Sequence, residues 1–242
     1  MIRTARVQPY MTMTELALEE VRKAILEGNL PPGCQLVPAR LAKDLSLSQE
    51  SIRDAIRQIV GSGLAESITN KGTFVGAPPT FEELKQIYKL RLQLEPEIAV
   101  RAADNITKRE IDQLEDLIFR MEKLARKSQS LSEHFILNRE FHLTLYFASR
   151  WKALCQSVAK WLDQVLVFRS CLHDTKMYED IDRFNEGHRQ IMDALNAEDH
   201  IKLRNSVWNN INLGLENIKK NYSEDLINKY FTGEHEVKEV VR

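Results

Sequence analysis

Residues 25–75 read ILEGNLPPGCQLVPARLAKDLSLSQESIRDAIRQIVGSGLAESITNKGTFV, and the breaks in that run decide the fold. Leading into it, Leu18, Val21, Ile25 and Leu26 keep the three-four spacing of an amphipathic helix, which Gly28 stops as a C-terminal cap. LPPG at 30–33 is a turn. A second, short helix is expected over about Ala39 to Leu45. SLS at 46–48 breaks it, with Ser48 as the N-cap of a third helix. That helix buries Ile52, Ala55, Ile56 and Ile59 and shows Gln49, Glu50, Arg53 and Arg57 outward. GSG at 61–63 ends it, and LAESI, TNKG and TFV predict two short strands joined by a tight Asn-Lys-Gly turn. The pattern is helix, helix-turn-helix, hairpin.

Outward from this run the glycines and prolines thin abruptly, because after Pro79 only Pro96, Gly187, Gly214 and Gly233 remain. The first third is therefore turn-rich and the rest can sustain long helices. APPT at 77–80 reads as a stiff link, and Thr80 with Glu83 forms a capping box for a long helix carrying Leu84, Ile87, Tyr88, Leu90, Arg91, Leu94, Glu95 and Ile98. Pro96 should bend that helix or follow a break. Further apolar-periodic segments occupy about 107–126, 131–148, 151–172, 178–196 and 199–221. The expected fold class is mostly α: an N-terminal winged helix-turn-helix with a small β-hairpin wing, then an all-α bundle of about six or seven helices. The corresponding domains are 1–77 (winged helix-turn-helix), 78–80 (linker), 81–222 (helical) and 223–242 (a charged tail).

The 242 residues are 43% hydrophobic and 29% charged, with 34 Lys+Arg against 35 Asp+Glu, an ordinary globular balance that excludes a polycation. Cys34, Cys155 and Cys171 are too few and too scattered for a disulfide scaffold or a thiolate metal site, which predicts a reducing compartment. The opening residues hold no apolar run of signal-peptide length, and LTLYFA at 143–148 falls far short of the ~20 residues that span a bilayer. A soluble cytoplasmic protein with no membrane partner is expected.

A short helix, a tight turn and a second helix opening on polar and basic residues is the arrangement that places a recognition helix in the DNA major groove. The hairpin adds a wing whose tip is Lys71 and Gly72. Residues 1–77 carry 9 Lys+Arg and 8 Asp+Glu, so the total charge argues only weakly for phosphate, and a winged helix used for protein contacts stays open on these features. The run 25–75, through Gly28, Leu30, Pro32, Gly33, Leu36, Leu41, Ala42, Leu45, Ser48, Arg53, Ala55, Gly63, Leu64, Asn70, Gly72 and Val75, resembles the DNA-binding domain of GntR-family bacterial transcription regulators. The second region, from FEELKQIYKLRLQLEPEIAVRAA through NREFHLTLYFASRWKAL to GHRQIMDALNAED, is similar to the helical FCD effector domain of the FadR-type subfamily. Together the resemblances cover about residues 14–220.

The resemblance implies that Ser48, Gln49, Ser51 and Arg53 start the recognition helix and that Lys71 and Gly72 tip the wing. Arg40 and Arg57 are phosphate contacts or ordinary surface charges. Gln49 stands where most relatives carry Arg, so an operator sequence cannot be borrowed; a glutamine pairs with adenine N6 and N7. In the second domain the metal-ligand positions of metal-binding relatives align with Asn138, His142, His188 and Asn210. Two asparagines among them disfavour Zn²⁺ or a similar ion, because a carboxamide is a weak ligand; His142 and His188 would be its ligands if any, or else hydrogen-bonded core histidines. His134 lies two turns from His142, a surface or core-edge histidine. Arg91 is either a partner for a ligand carboxylate or an internal salt bridge to Glu95, and Arg169 is a weaker candidate of the same kind. Trp151, Trp161, Phe141 and Phe147 read as bundle core.

The implied function is a ligand-responsive transcription regulator, a homodimeric repressor whose affinity for a double-stranded operator is modulated by a small carboxylate. An enzyme is not expected, since no P-loop, G-x-S-x-G or H-E-x-x-H is present to support that reading. Two alternatives stand beside it. One is a regulator that has lost ligand sensing and uses the helical domain only to dimerise, the other a helical-bundle metalloenzyme with an accessory winged helix.

Overall fold

The computed structural model describes residues 11–125, 131–171 and 180–221, and the charged tail 223–242 lies outside them. The chain divides into two compact units, Met1–Ala77 and Pro78–Arg242.

In the first unit Thr12 caps α1 (Met13–Leu26) through a capping box: its hydroxyl accepts from the Glu15 amide, and its own amide donates to the Glu15 carboxylate at 2.7 Å. The helix buries Ala17, Val21, Ile25 and Leu26. Pro38 opens α2 (Pro38–Leu45), where its missing N–H costs nothing. Ser46, left-handed at φ 55°, ends that helix, and Ser48 caps α3 (Gln49–Ser62) by accepting the Ser51 amide. The buried side of α3 is Ser51, Ile52, Ala55, Ile56 and Ile59. Strands β1 (Ala65–Ile68) and β2 (Gly72–Val75) pair antiparallel, from Ala65 opposite Val75 to Ile68 opposite Gly72. One feature exceeds the expected hairpin: the PPGCQL turn adds a third edge, with Gln35 bridging Phe74 and the Leu36 amide donating to the Thr73 carbonyl at 2.8 Å.

The second unit is helical among its described residues: α4 (Phe81–Ala103), α5 (Lys108–Ala125), α6 (Leu131–Phe147), α7 (Lys152–Ser170), α8 (Ile181–Asn196) and α9 (His200–Asn221). The Thr80/Glu83 capping box opens α4, which runs through Pro96 without a break. Helix α9 packs on α4 and α8, and α5 packs on α6, around a core that includes Leu84, Tyr88, Ile98, Ile118, Met121, Phe141, Tyr146 and Phe168. Trp151 and Phe147, expected in the core, lie at the surface at 43% and 38% exposure, where α6 gives way to the turn into α7. A further box starts α5: Glu110 accepts from the Thr107 amide and hydroxyl, and it also takes a bidentate pair from Arg150 at 2.7 and 3.1 Å, across the turn after α6.

Candidate DNA-binding surface and effector cavity

The Ser48 cap leaves the first turn of α3 with Gln49, Glu50 and Arg53 outward. Arg53 Nη2 donates to Gln49 Oε1 at 3.2 Å, so the two side chains lie together on one exposed face. Ser51 is turned inward: it is 8% exposed and its hydroxyl accepts from Ser48 at 2.9 Å. Arg57 pairs with Asp54, and Arg40 lies 3.8 Å from Asp44, both on the surface. At the wing Asn70 adopts φ 62° and Gly72 φ 111°, and the Lys71 amide closes the turn onto the Ile68 carbonyl. Lys71 itself is exposed.

In the second unit, helix α6 carries the polar ladder His134, Asn138, His142 and Tyr146 at four-residue spacing, and three of its four members are buried. Five of the six anticipated effector residues, Arg91, Asn138, His142, Arg169 and Asn210, converge on one cavity of about 40 Å³, whose wall is completed by residues including Tyr88, His134, Phe135, Arg139 and Gly214. His188 is fully buried and stands outside that wall. It touches the site through Asn138, whose Oδ1 lies 2.9 Å from His188 Nε2.

Arg91 makes the internal salt bridge, with Nε on Glu95 Oε1 at 2.6 Å and Nη2 on Oε2 at 3.3 Å. Both side chains are inside, at 5% and 0% exposure. Burial works against the guanidinium charge, and the Glu95 carboxylate beside it outweighs burial and holds the Arg91 pKa above its ordinary value. The Tyr146 hydroxyl donates to Glu95 Oε2 at 2.8 Å and lies 3.0 Å from His142 Nδ1. Since that hydroxyl has already given its proton, His142 donates from Nδ1, which leaves Nε2 as the acceptor. Asn210 Nδ2 donates to the Phe184 carbonyl at 3.5 Å. Burial, reinforced by Arg91, pushes the His142 pKa down to about 3, and burial drives His188 and His134 in the same direction, so the cavity presents neutral imidazoles. Arg169 lies over the Phe135 ring and donates to the Gly214 carbonyl at 3.3 Å, while Arg139 pairs with the buried Asp163. Two glycines inside helices make room here. A Cβ on Gly187 would stand 2.6 Å from Asn210 Nδ2, and one on Gly214 would stand 3.1 Å from the Tyr88 hydroxyl.

These residues make a poor donor set for a transition metal: carboxamides occupy two of the four positions, and His188 Nε2 is engaged by Asn138. Among the described residues no three His, Cys, Asp or Glu side chains are grouped as ligands. Sequence reasoning missed Tyr146, Arg139, Asp163 and the cavity position of His134. The readable signal was the four-residue ladder on α6, where a helix at this place in the core would ordinarily show leucines.

A winged helix-turn-helix followed by a helical bundle with a polar internal cavity defines a two-domain transcription regulator. Residues 14–75 match the family of bacterial regulatory proteins named gntR, and residues 86–212, over half the chain, match the FCD domain. The chain belongs to the GntR family of transcription regulators, in the group with an FCD effector domain; it binds DNA through the first unit and is not an enzyme. Similar proteins include the HTH-type transcriptional regulator McbR of Escherichia coli, 24% identical over 62% of this chain and 66% of McbR, just under two thirds of its length. The HTH-type transcriptional regulator YdhC of Bacillus subtilis is 24% identical over 83% of this chain and 88% of its own. The solved structure of E. coli McbR/YncC shares the fold with a TM-score of 0.75 at 20% identity, covering 88% of this chain and all of that one. Among the described residues no helix is long and apolar enough to cross a membrane.

Proposed function

We propose that the chain is a homodimeric repressor that inserts α3 of each protomer into a major-groove half-site and releases its operator when a small organic carboxylate enters the helical domain, without a metal. The observation that carries the ligand class is the cavity wall itself: Arg91 and Arg169 line the same space as His142 and Asn210. Guanidinium forks suit a planar carboxylate. The volume, about 40 Å³, equals roughly three water-sized positions at ~10–15 Å³ each, room for a carboxylate head. On the DNA side Arg53 and Gln49 contact base edges, with Arg40, Arg57 and Lys71 on phosphates and Ser48 presenting the α3 amides. Dimerisation follows from the single short reading element per chain, because two half-sites give the affinity one cannot.

Isothermal titration of the full chain with a panel of short carboxylates and the matching neutral amides tests the ligand class. Heat for at least one acid and none for its amide is expected, with loss of the response in Arg169→Gln. One observation favours the reading in which the helical domain only dimerises: Glu95 already neutralises Arg91. A dimer in sedimentation with no heat across the panel selects that reading.

A further inference from the structure

We propose that Gln35 is a positioning residue for DNA binding, whose side-chain amide fixes the wing tip so that Lys71 is presented to a phosphate. The inference rests on the proposed DNA contact of Lys71 and goes beyond it, since neither the helix-turn-helix nor the hairpin contains Gln35.

Gln35 Nε2 donates to the Lys71 carbonyl at 2.9 Å, a bond that spans 36 positions and lands on the residue that carries the tip's positive charge. Its backbone is already fixed beside the wing, because Gln35 bridges Phe74 while the neighbouring Leu36 and Val75 amides donate to Thr73 and Cys34 at 2.8 and 2.9 Å. The amide therefore starts from an anchored strand edge. It also fills the space above Gly72, where a Cβ would lie 2.7 Å from Nε2. Gly72 is thus required twice, by its φ of 111° and by the side chain packed over it.

Geometry links this contact to recognition. Gln35, Arg53, Arg57, Gly72 and Thr73 line one open groove of about 400 Å³ between α3 and the wing. A hairpin tip of three residues has few contacts of its own, and without a tether its ordering is charged against the binding free energy; the Gln35 bond removes that cost before DNA arrives. Gln35 and Lys71 are both exposed, so the bond contributes little to the core and its value falls on the complex.

The test uses the full chain, a short duplex enriched by the wild type from a random-sequence pool, and binding measured over a range of salt concentrations. Gln35→Met keeps the side-chain length and removes the donor. It is expected to lower affinity roughly 3–10-fold and to reduce the salt slope by about 0.9 per wing, as loss of one phosphate contact does, with the thermal midpoint unchanged. Lys71→Ala should give the same slope change, and the double variant should lose no more than Lys71→Ala alone, because both remove one contact. If Lys71→Ala reduces the slope and Gln35→Met leaves it at the wild-type value, or if the two losses add, the positioning role is overturned and the wing contact stands. If Lys71→Ala itself leaves the slope unchanged, both are overturned.

Discussion

Replacing Glu95 by leucine, which keeps the volume and removes the charge, is expected to cost most of the stability of the helical domain. The carboxylate accepts three hydrogen bonds, two from Arg91 at 2.6 and 3.3 Å and one from Tyr146 at 2.8 Å, and it is fully enclosed. Removing it strands a buried guanidinium, which costs about 3–5 kcal/mol, and takes the acceptor from the Tyr146 hydroxyl, worth about 1 kcal/mol more. The sum, about 4–6 kcal/mol, rivals the whole stability of an ordinary domain, about 5–15 kcal/mol. Arg91→Met alone should cost about 3–5 kcal/mol, since it leaves the carboxylate buried without its cation. Removing both charges in Arg91→Met/Glu95→Leu should bring the loss back to about 1–3 kcal/mol, so the coupling between the two sites is at least about 4 kcal/mol. Urea denaturation followed by tryptophan fluorescence reads this unit alone, because Trp151, Trp161 and Trp208 all lie after Pro78. Losses that add in the double variant would refute the reasoning.

Arg53→Ala should weaken operator binding by about 1–3 kcal/mol, more than replacing Glu50 or Asp54 in the same helix, in mobility-shift titrations at fixed salt; unchanged affinity removes α3 as the reading element. Stability should fall as the solution is acidified below about pH 6.5, because the unfolded chain then protonates histidines whose folded pKa is depressed, that of His142 to about 3. Each such histidine contributes roughly 1.4 kcal/mol per pH unit, down to its own folded pKa, and urea midpoints that stay level between about pH 7 and about pH 5 contradict the buried neutral state. Asn138→Asp/Asn210→His should raise Zn²⁺ affinity steeply in calorimetry, while elemental analysis of the chelator-washed wild type should find no stoichiometric metal. A stoichiometric metal there would overturn the metal-free site.

The first unit was legible in the sequence because its punctuation is chemical and local. Ser48, Gly63 and the Asn70–Gly72 turn each stop or start an element through their own backbone preferences, and the structure puts each at that position. Within the described residues the helix spans of the second unit were readable to within a residue or two, while the expected ends at 126, 172 and 178 lie outside them. The interior of the cavity was not. That Arg91 meets Glu95 is a matter of i,i+4 spacing, but that Tyr146 completes the pair and that His188 sits behind Asn138 depend on how α6 is rotated against α4 and α8, which no periodicity within one helix fixes. Trp151 and Phe147 misled for a related reason. Large aromatic rings signal burial on average, and these two fall where the chain leaves α6 for a turn.

Glu110 joins two places that lie forty positions apart in sequence. One carboxylate serves as the capping acceptor at the start of α5 and as the anchor for Arg150, a non-glycine residue at φ 65° in the turn between α6 and α7. That double use, with Arg150 donating to it from two nitrogens, holds the Glu110 pKa down to about 2. The two ends are coupled: fraying the first turn of α5 releases Arg150, and straightening the Arg150 turn takes from Glu110 its charged partner. The amides of 108–111 and 150–155 therefore belong to one opening unit, and their hydrogen exchange should slow or quicken together when a ligand reaches α6 and α7.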